Sequence, residues 1–557
     1  MNMIKKTMKV SLAFVLLTSA ALAQNLDEVK RAIDAEQYQK AKTTLKSMIA
    51  AKPEEPQNYF FLGNVYIKTD YIDSAKATFQ KGVSADAEAP LNYVGLGAVE
   101  LQNNNAGGAK TNFDKAVSLL KRKDYDAYLY IGKAYTYAPK PDYAQAIQYL
   151  DKAKEKNAKD AEIFLALGDA YRGQMKNSEA FSAYRTAFDL DKSLLRAKVE
   201  LGVINKMAKA FPESVKEFND VIALNPNYGP AYRELAETYY LWANSDEKTY
   251  DAKIKQALQY YEKYMDLTDR SFESRMRHAD FLILAKDYKA LEQEAQEMAK
   301  LDKANPRIYR YLGYSAFQNG NYDASIKALN DFMAKVDTSR LIGQDYLFLG
   351  RAQMKTGKDS LGINNLRKAV EIDSTNAEVM SDIGKTLFGA KQYDQAAEMY
   401  ALAVKNPKSK TIVYDSFYLG MSYYFDYATK INDKQNPPSK DLLVKADSAF
   451  SYVIERSPTT PDAYLYRARV NRLLDDEQNP KGLMVPYYEK FIEVLSARPE
   501  ALNDARNKKN LNEAYSNLGA YYLNSDKAKA KEYFNKALAM DPQDKYSSDA
   551  LKSLGGK

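Results

Sequence analysis

Apolar residues between positions 59 and 83 recur every three or four places. Tyr59, Leu62 and Tyr66 mark one stripe, and Ala75, Phe79 and Val83 mark a second. That spacing predicts two amphipathic helices, each with one face turned to a core. Between the stripes Asp70-Tyr71 supplies turn chemistry, as do Asn319-Gly320-Asn321 and Thr356-Gly357-Lys358 further along the chain. The predicted element is a helical hairpin. One hairpin cannot bury its own apolar face, so neighbours have to stack.

The hairpin recurs. Leu62-Gly63 returns as Leu96-Gly97, Ile131-Gly132, Leu167-Gly168, Leu201-Gly202 and Leu235-Ala236. It continues as His278-Ala279, Leu312-Gly313, Leu349-Gly350, Ile383-Gly384 and Leu419-Gly420, then Arg467-Ala468 and Leu518-Gly519. From Gly63 to Gly420 the steps are 34, 35, 36, 34, 34, 43, 34, 37, 34 and 36 residues. A second motif follows each small residue: Ala75, Phe79 and Gly82 after Gly63, Ala180, Tyr184 and Ala187 after Gly168, Ala396, Tyr400 and Ala403 after Gly384. A period of 34 with small and aromatic residues at these places resembles the tetratricopeptide repeat (TPR) family over nearly all of residues 26–545. The resemblance, of exported bacterial type, implies an all-α fold, a right-handed α-solenoid (superhelix) of about 13–14 helix hairpins. It also implies that the first helix of each unit lines a concave face that binds proteins or peptides.

Boundaries and irregularities follow from the same pattern. Residues 24–427 read as a regular array, 428–545 as irregular C-terminal repeats with insertions, and 546–557 as a capping tail with a short helix through Leu551. Insertions fall at Pro139-Lys140-Pro141, at residues 243–251, 428–442 and 475–486, and at the connection 498–510. Thr375 and Glu378 have capping-box spacing, and Pro212 suits the first turn of a helix.

Composition then removes whole classes of function. Residues 1–23 carry Lys5, Lys6 and Lys9, an uncharged stretch from Val10, and the small-x-small run Ala21-Leu22-Ala23, the anatomy of a secretory signal peptide. Export to the periplasm is expected, and with no Cys in the chain the product is not a lipoprotein. Setting those three lysines aside takes the formal charge from +7 to +4, and no basic stripe of the kind that binds nucleic acid is present. No later segment reaches the ~20 apolar residues of a transmembrane span.

Candidate chemistry is sparse. With no Cys and a single His, metal and nucleophilic sites lack material, and neither a phosphate-binding loop nor a dinucleotide fingerprint occurs. Gly343 and Gly357 read as turn residues. His278 replaces the Leu or Ile of other repeats and reads as a packing residue; acidic pairs such as Asp475-Asp476 read as solvated loop carboxylates. The 45 tyrosines fill repeat positions with a buried ring and a polar tip. No cofactor or metal is expected, and the chain is expected not to be an enzyme.

The resemblance assigns five groove-facing positions to each first helix. In successive repeats they bring together Arg307, Arg310, Tyr314 and Phe317, then Arg351 and Met354, then Lys385 and Phe388, then Tyr414, Phe417, Met421 and Tyr424. The cations are expected to meet an acidic segment or a C-terminal carboxylate, and the aromatics to anchor it. The expected function is a non-catalytic scaffold in a cell-envelope complex. The alternatives are a carboxylate-based glycan-binding or glycan-processing protein and a self-assembling structural protein.

Overall fold

The computed structural model describes residues 26–302, 304–432 and 437–555. The predicted signal peptide lies outside the described residues. The chain divides into two compact units that meet in sequence at Lys303 and Ala304. Among the described residues both are built from α-helices with short 3-10 turns and no strand. The fold is an all-α solenoid of helical hairpins.

The first unit opens with α1 (26–34), followed by α2 (Tyr38–Ala51), α3 (Pro56–Lys68), α4 (Ile72–Ala85), α5 (Pro90–Gln102) and α6 (Ala106–Ser118). It continues with α7 (Asp126–Thr136), α8 (Tyr143–Lys156), α9 (Ala161–Gly173), α10 (Asn177–Leu190) and α11 (Leu195–Met207). Then come α12 (Phe211–Leu224), α13 (Gly229–Ala243), α14 (Tyr250–Leu267), α15 (Phe272–Leu284) and α16 (Tyr288–Leu301).

The second unit contains α17 (Arg307–Gln318), α18 (Tyr322–Lys335), α19 (Gly343–Lys355), α20 (Asp359–Ile372), α21 (Ala377–Gly389) and α22 (Tyr393–Ala403). After these follow α23 (Ile412–Lys430), α24 (Asp441–Arg456), α25 (Pro461–Leu474), α26 (Val485–Ser496), α27 (Ala505–Tyr522), α28 (Lys527–Met540) and the terminal α29 (Lys545–Ser553). Odd-numbered helices are the first members of their hairpins. Several touch the next first helix directly, as α7 touches α9 and α17 touches α19.

The small residue of each hairpin has a definite job. The Cα of Gly97 lies so close to the ring of Phe113 that a Cβ there would sit 2.3 Å from Cε1; Gly63 and Phe79, and Gly168 and Tyr184, repeat the arrangement. Phe79, Phe113 and Tyr184 are fully buried. In these hairpins the ring sixteen residues on fills the space that the glycine leaves, as Leu329 and Leu366 do against Gly313 and Gly350, and close packing makes that space unavailable to a side chain.

The turn inside the hairpin is equally regular. Seven residues after the small residue the backbone is left-handed, at Asp70, Asn104, Met175, Lys209, Lys286 and Lys391 and at Gly320 and Gly357. Only two of these are glycines, so the stack imposes a conformation that costs an ordinary residue about 1–2 kcal/mol. Pro212 does lie in the first turn of α12. Two expectations need correction. The Thr375–Glu378 capping box does not form, because Thr375 sits in a 3-10 turn whose amide is taken by Asp373. Gly343 is the buried first residue of α19 rather than a turn residue.

A third correction concerns Asp475-Asp476. Asp475 is buried, and its carboxylate accepts hydrogen bonds from the amides of Asp476, Lys481, Gly482 and Leu483 at 2.8–3.0 Å. Burial works against its charge, but the four amides win and hold the carboxyl below its usual range. A carboxylate with a depressed folded pKa stabilises the fold above the ordinary carboxylate range and loses that contribution as pH falls through the folded value. Asp475→Ala is therefore expected to cost about 1–3 kcal/mol. Faster amide exchange in residues 476–484 would report it; unchanged exchange there would contradict this account.

Candidate functional site

In both units the polar and aromatic side chains of interest come from the first helices. In the first unit, those side chains pair across neighbouring helices. Lys133 on α7 meets Glu162 on α9. From α9, Asp169 accepts a 2.9 Å hydrogen bond from Arg196 on α11, and Arg172 lies 2.6 Å from Glu200 on α11. Lys206 on α11 meets Glu234 on α13. Asp169 also accepts from the hydroxyls of Tyr137 and Tyr184. The result is a ladder of alternating charges running from one first helix to the next.

The ladder borders a cavity of about 240 Å³ whose walls include Asp34, Glu36, Arg172, Arg196, Glu200 and Arg233. Cations and carboxylates are balanced there, so the cavity has no strong preference for one sign of ligand. Sequence reasoning missed this network. The signal was available, since Glu162, Asp169, Arg172, Arg196, Lys206 and Arg233 stand at the same offsets from Gly168, Gly202 and Ala236 as Arg307, Arg310, Tyr314 and Phe317 do from Gly313.

In the second unit, the predicted residues divide into two clusters. The first joins α17 and α19. Arg310 donates from Nε and Nη2 to the two carboxylate oxygens of Asp345, at 2.8 and 2.7 Å, and the Tyr314 hydroxyl donates to the same carboxylate at 2.7 Å. Asp345 is fully buried. Tyr314 stacks on Phe348 with centroids 4.3 Å apart, Phe317 packs edge-on against the same ring, and Arg351 lies 4.8 Å above Phe317. Arg307 donates to the Tyr311 hydroxyl at 2.9 Å. Tyr314 and Phe317 are buried.

That geometry corrects the expected partner chemistry. Arg310 is matched in charge and shape by Asp345, and although burial works against its proton, the carboxylate holds the guanidinium still more firmly in its charged form. A bidentate pair of this kind is not available to an acidic ligand. Tyr314 and Phe317 spend their area on the α17–α19 contact.

The second cluster joins α21, α23 and α25 and is more open. Phe388 packs edge-on against Tyr418 and Phe425; Phe417 and Tyr424 both pack against Tyr466. Phe388, Phe417, Met421 and Tyr424 are half-buried, as is Met354 on α19. Tyr414 is 40% exposed and its ring lies tilted against that of Tyr418, with centroids 4.5 Å apart. Lys385 is exposed and has no hydrogen bond or ion pair among the described residues.

His278 lies outside both clusters. It is mostly buried, with Nδ1 3.1 Å from Glu294, which also pairs with Arg275 at 2.7 Å. Burial works against the Glu294 charge, but His278 and Arg275 hold the carboxyl below its usual range. Among the described residues no group of three or more His, Cys, Asp or Glu side chains could hold a metal ion. Nor is any described helix long and apolar enough to cross a membrane.

The tetratricopeptide repeat family model matches residues 56–88 and 513–544. No curated protein matches. The C-terminal part of a TPR repeat-containing protein from Cytophaga hutchinsonii is 29% identical, covering 50% of this chain and 99% of its own, with a TM-score of 0.31. A tetratricopeptide repeat protein from Parabacteroides merdae is 15% identical over 45% of this chain and 93% of its own, with a TM-score of 0.30. YrrB, described as a TPR protein with an unusual peptide-binding site, is 21% identical over 34% of this chain and 95% of its own, with a TM-score of 0.22. Tetratricopeptide repeats are thus recognised at residues 56–88 and 513–544, near both ends, with helical hairpins at similar spacing between them.

Proposed function

We propose that the protein is a non-catalytic scaffold whose second unit holds a protein or peptide segment on the first helices α21, α23 and α25. The observation that carries this reading is the half-open aromatic cluster of Phe388, Phe417, Met421 and Tyr424, bordered by exposed Tyr414 and unpaired Lys385. Aromatic and methionine side chains that are partly buried beforehand lose little conformational freedom on binding and supply most of the contact energy. Arg310, Tyr314 and Phe317 serve this reading by fixing α17 against α19, Arg307 bonds within α17 to Tyr311, and Arg351 and Met354 stand at the edge of the contact surface. The partner is therefore read by apolar anchors with one or two acidic groups near Lys385, in place of the cluster of carboxylates that four free cations would have recognised.

The signal-like residues 1–23 support placing this activity in the periplasm, and an envelope-associated complex is the proposed setting. A photo-crosslinking side chain placed at Tyr414 or Lys385 in living cells tests both the face and the compartment. Discrete adducts are expected from both positions and not from Leu361, an exposed residue of the second helix α20. Equal labelling from all three positions would remove the case for this face. In the same cells, Lys385→Glu with Met421→Ala should reduce adduct yield at Tyr414 by about tenfold, a loss of the size two contact residues carry.

A further inference from the structure

The first hairpin does more than begin the stack. Contacts across about two hundred positions of sequence tie it to α13 and α14. The Tyr228 hydroxyl donates to the Asp34 carboxylate at 2.9 Å, and that of Tyr264 donates to Glu36 at 2.8 Å. Arg233 pairs with Glu36. The Gln37 amide group donates to the Leu267 carbonyl at 3.2 Å, and the Gln39 backbone N–H donates to Asp269 at 2.7 Å. Gly229 leaves room for the Thr268 methyl group of its own α13–α14 hairpin, which a Cβ would meet at 2.7 Å, and the Ala35 carbonyl lies in ordinary contact range beside it.

The two sides of α1 are held differently. Toward its sequence neighbours, Val29 and Ala32 pack in one cluster with Phe60 and Phe61. Toward α11 and α13 the apolar contact is Ala35 against Val199, Tyr228 and Ala231. The far contact is therefore mostly polar and small in apolar area, whereas the near one is core. A hairpin so held can swing from the far partner and stay stacked on the near one.

We propose that residues 34–39 and the Tyr228–Asp269 hairpin form a polar latch that closes the first unit on itself, and that its release opens the charged ladder and the 240 Å³ cavity beside it. Asp34 and Glu36 are walls of that cavity, so the same residues close the junction and cap the space. Closure carries an electrostatic cost that release refunds. Burial pushes the Asp34 carboxyl up to about 6 against the pull of Arg196. Rehydrating Asp34 favours the open form, while the five polar contacts favour the closed one. Two opposed sets of modest interactions are what a switchable junction requires.

The chain has no cysteine, so one thiol can report the junction in the full-length protein. In Ala35→Cys, which is buried, reaction with a bulky maleimide is expected to be slow. Adding Arg233→Ala and Tyr264→Phe should speed it by at least about tenfold with the thermal unfolding transition unchanged, as local opening predicts. The charge swap Glu36→Arg with Arg233→Glu should return it to within about threefold of the slow rate. An unchanged rate, or an acceleration that only tracks loss of global stability, overturns the latch. The unmodified protein gives a second readout if a variant fails to fold. Amides of residues 26–39 should exchange faster than those of α9 and α11, and equal protection would also overturn it.

Discussion

Asp345→Ala is expected to destabilise the second unit by about 3–5 kcal/mol, among the largest effects a single polar substitution produces. Asp345 is fully buried and accepts four hydrogen bonds: two from Arg310, one from the Tyr314 hydroxyl and one from the backbone N–H of Ile342 at 2.9 Å. Alanine removes every acceptor at once and leaves the Arg310 guanidinium, only 17% exposed, without its counter-charge. It also unties the start of α19, because Ile342 precedes the first helical residue. Arg310→Met paired with Asp345→Ala should cost clearly less than Asp345→Ala alone, since no charge is then left stranded. Urea denaturation with amide exchange over α17–α20 measures both. A loss below about 1 kcal/mol for Asp345→Ala would mean that water replaces the carboxylate, and Arg310 would return as a candidate partner contact.

The architecture was legible because its signal is redundant. The period, the small residue, the ring sixteen positions later and the turn at seven all report the same hairpin, so the drift of any one copy does no harm. The candidate site was only half legible for the opposite reason. Position within a repeat says which way Arg310 points, but not that Asp345, thirty-five residues on, already satisfies it. Such a pairing depends on how one hairpin leans on the next, which no single copy encodes. Asp475 shows the same limit in a loop: two adjacent acids look solvated until the chain from Asp476 to Leu483 is seen folded around one of them. The latch is further still from the sequence, because Glu36 and Arg233 lie 197 positions apart and meet only through the accumulated turn of the hairpins between them.

Phe113→Ala is expected to cost about 3–5 kcal/mol, by emptying the space into which α5 and α6 are fitted. Phe113 is fully buried, packs with Val94, Ala109 and Ile131, and lies against Gly97 at a distance that excludes a Cβ. Gly97→Val should be at least as damaging, because the added carbons meet an aromatic ring locked among buried neighbours rather than the end of a flexible chain. The two residues share one volume, so their effects cannot add. In the double variant the valine enters the cavity left by the ring, and the combined loss should fall short of the sum by about 1–3 kcal/mol. Contacts in a repeat array are local, so the loss should concentrate in α5–α8, visible as amide exchange there before any change in α11–α14. Additive losses, or exchange that rises evenly through the first unit, would show that the hairpin's small residue and its ring are not a single packing element. The period of 34 would then need a different physical cause.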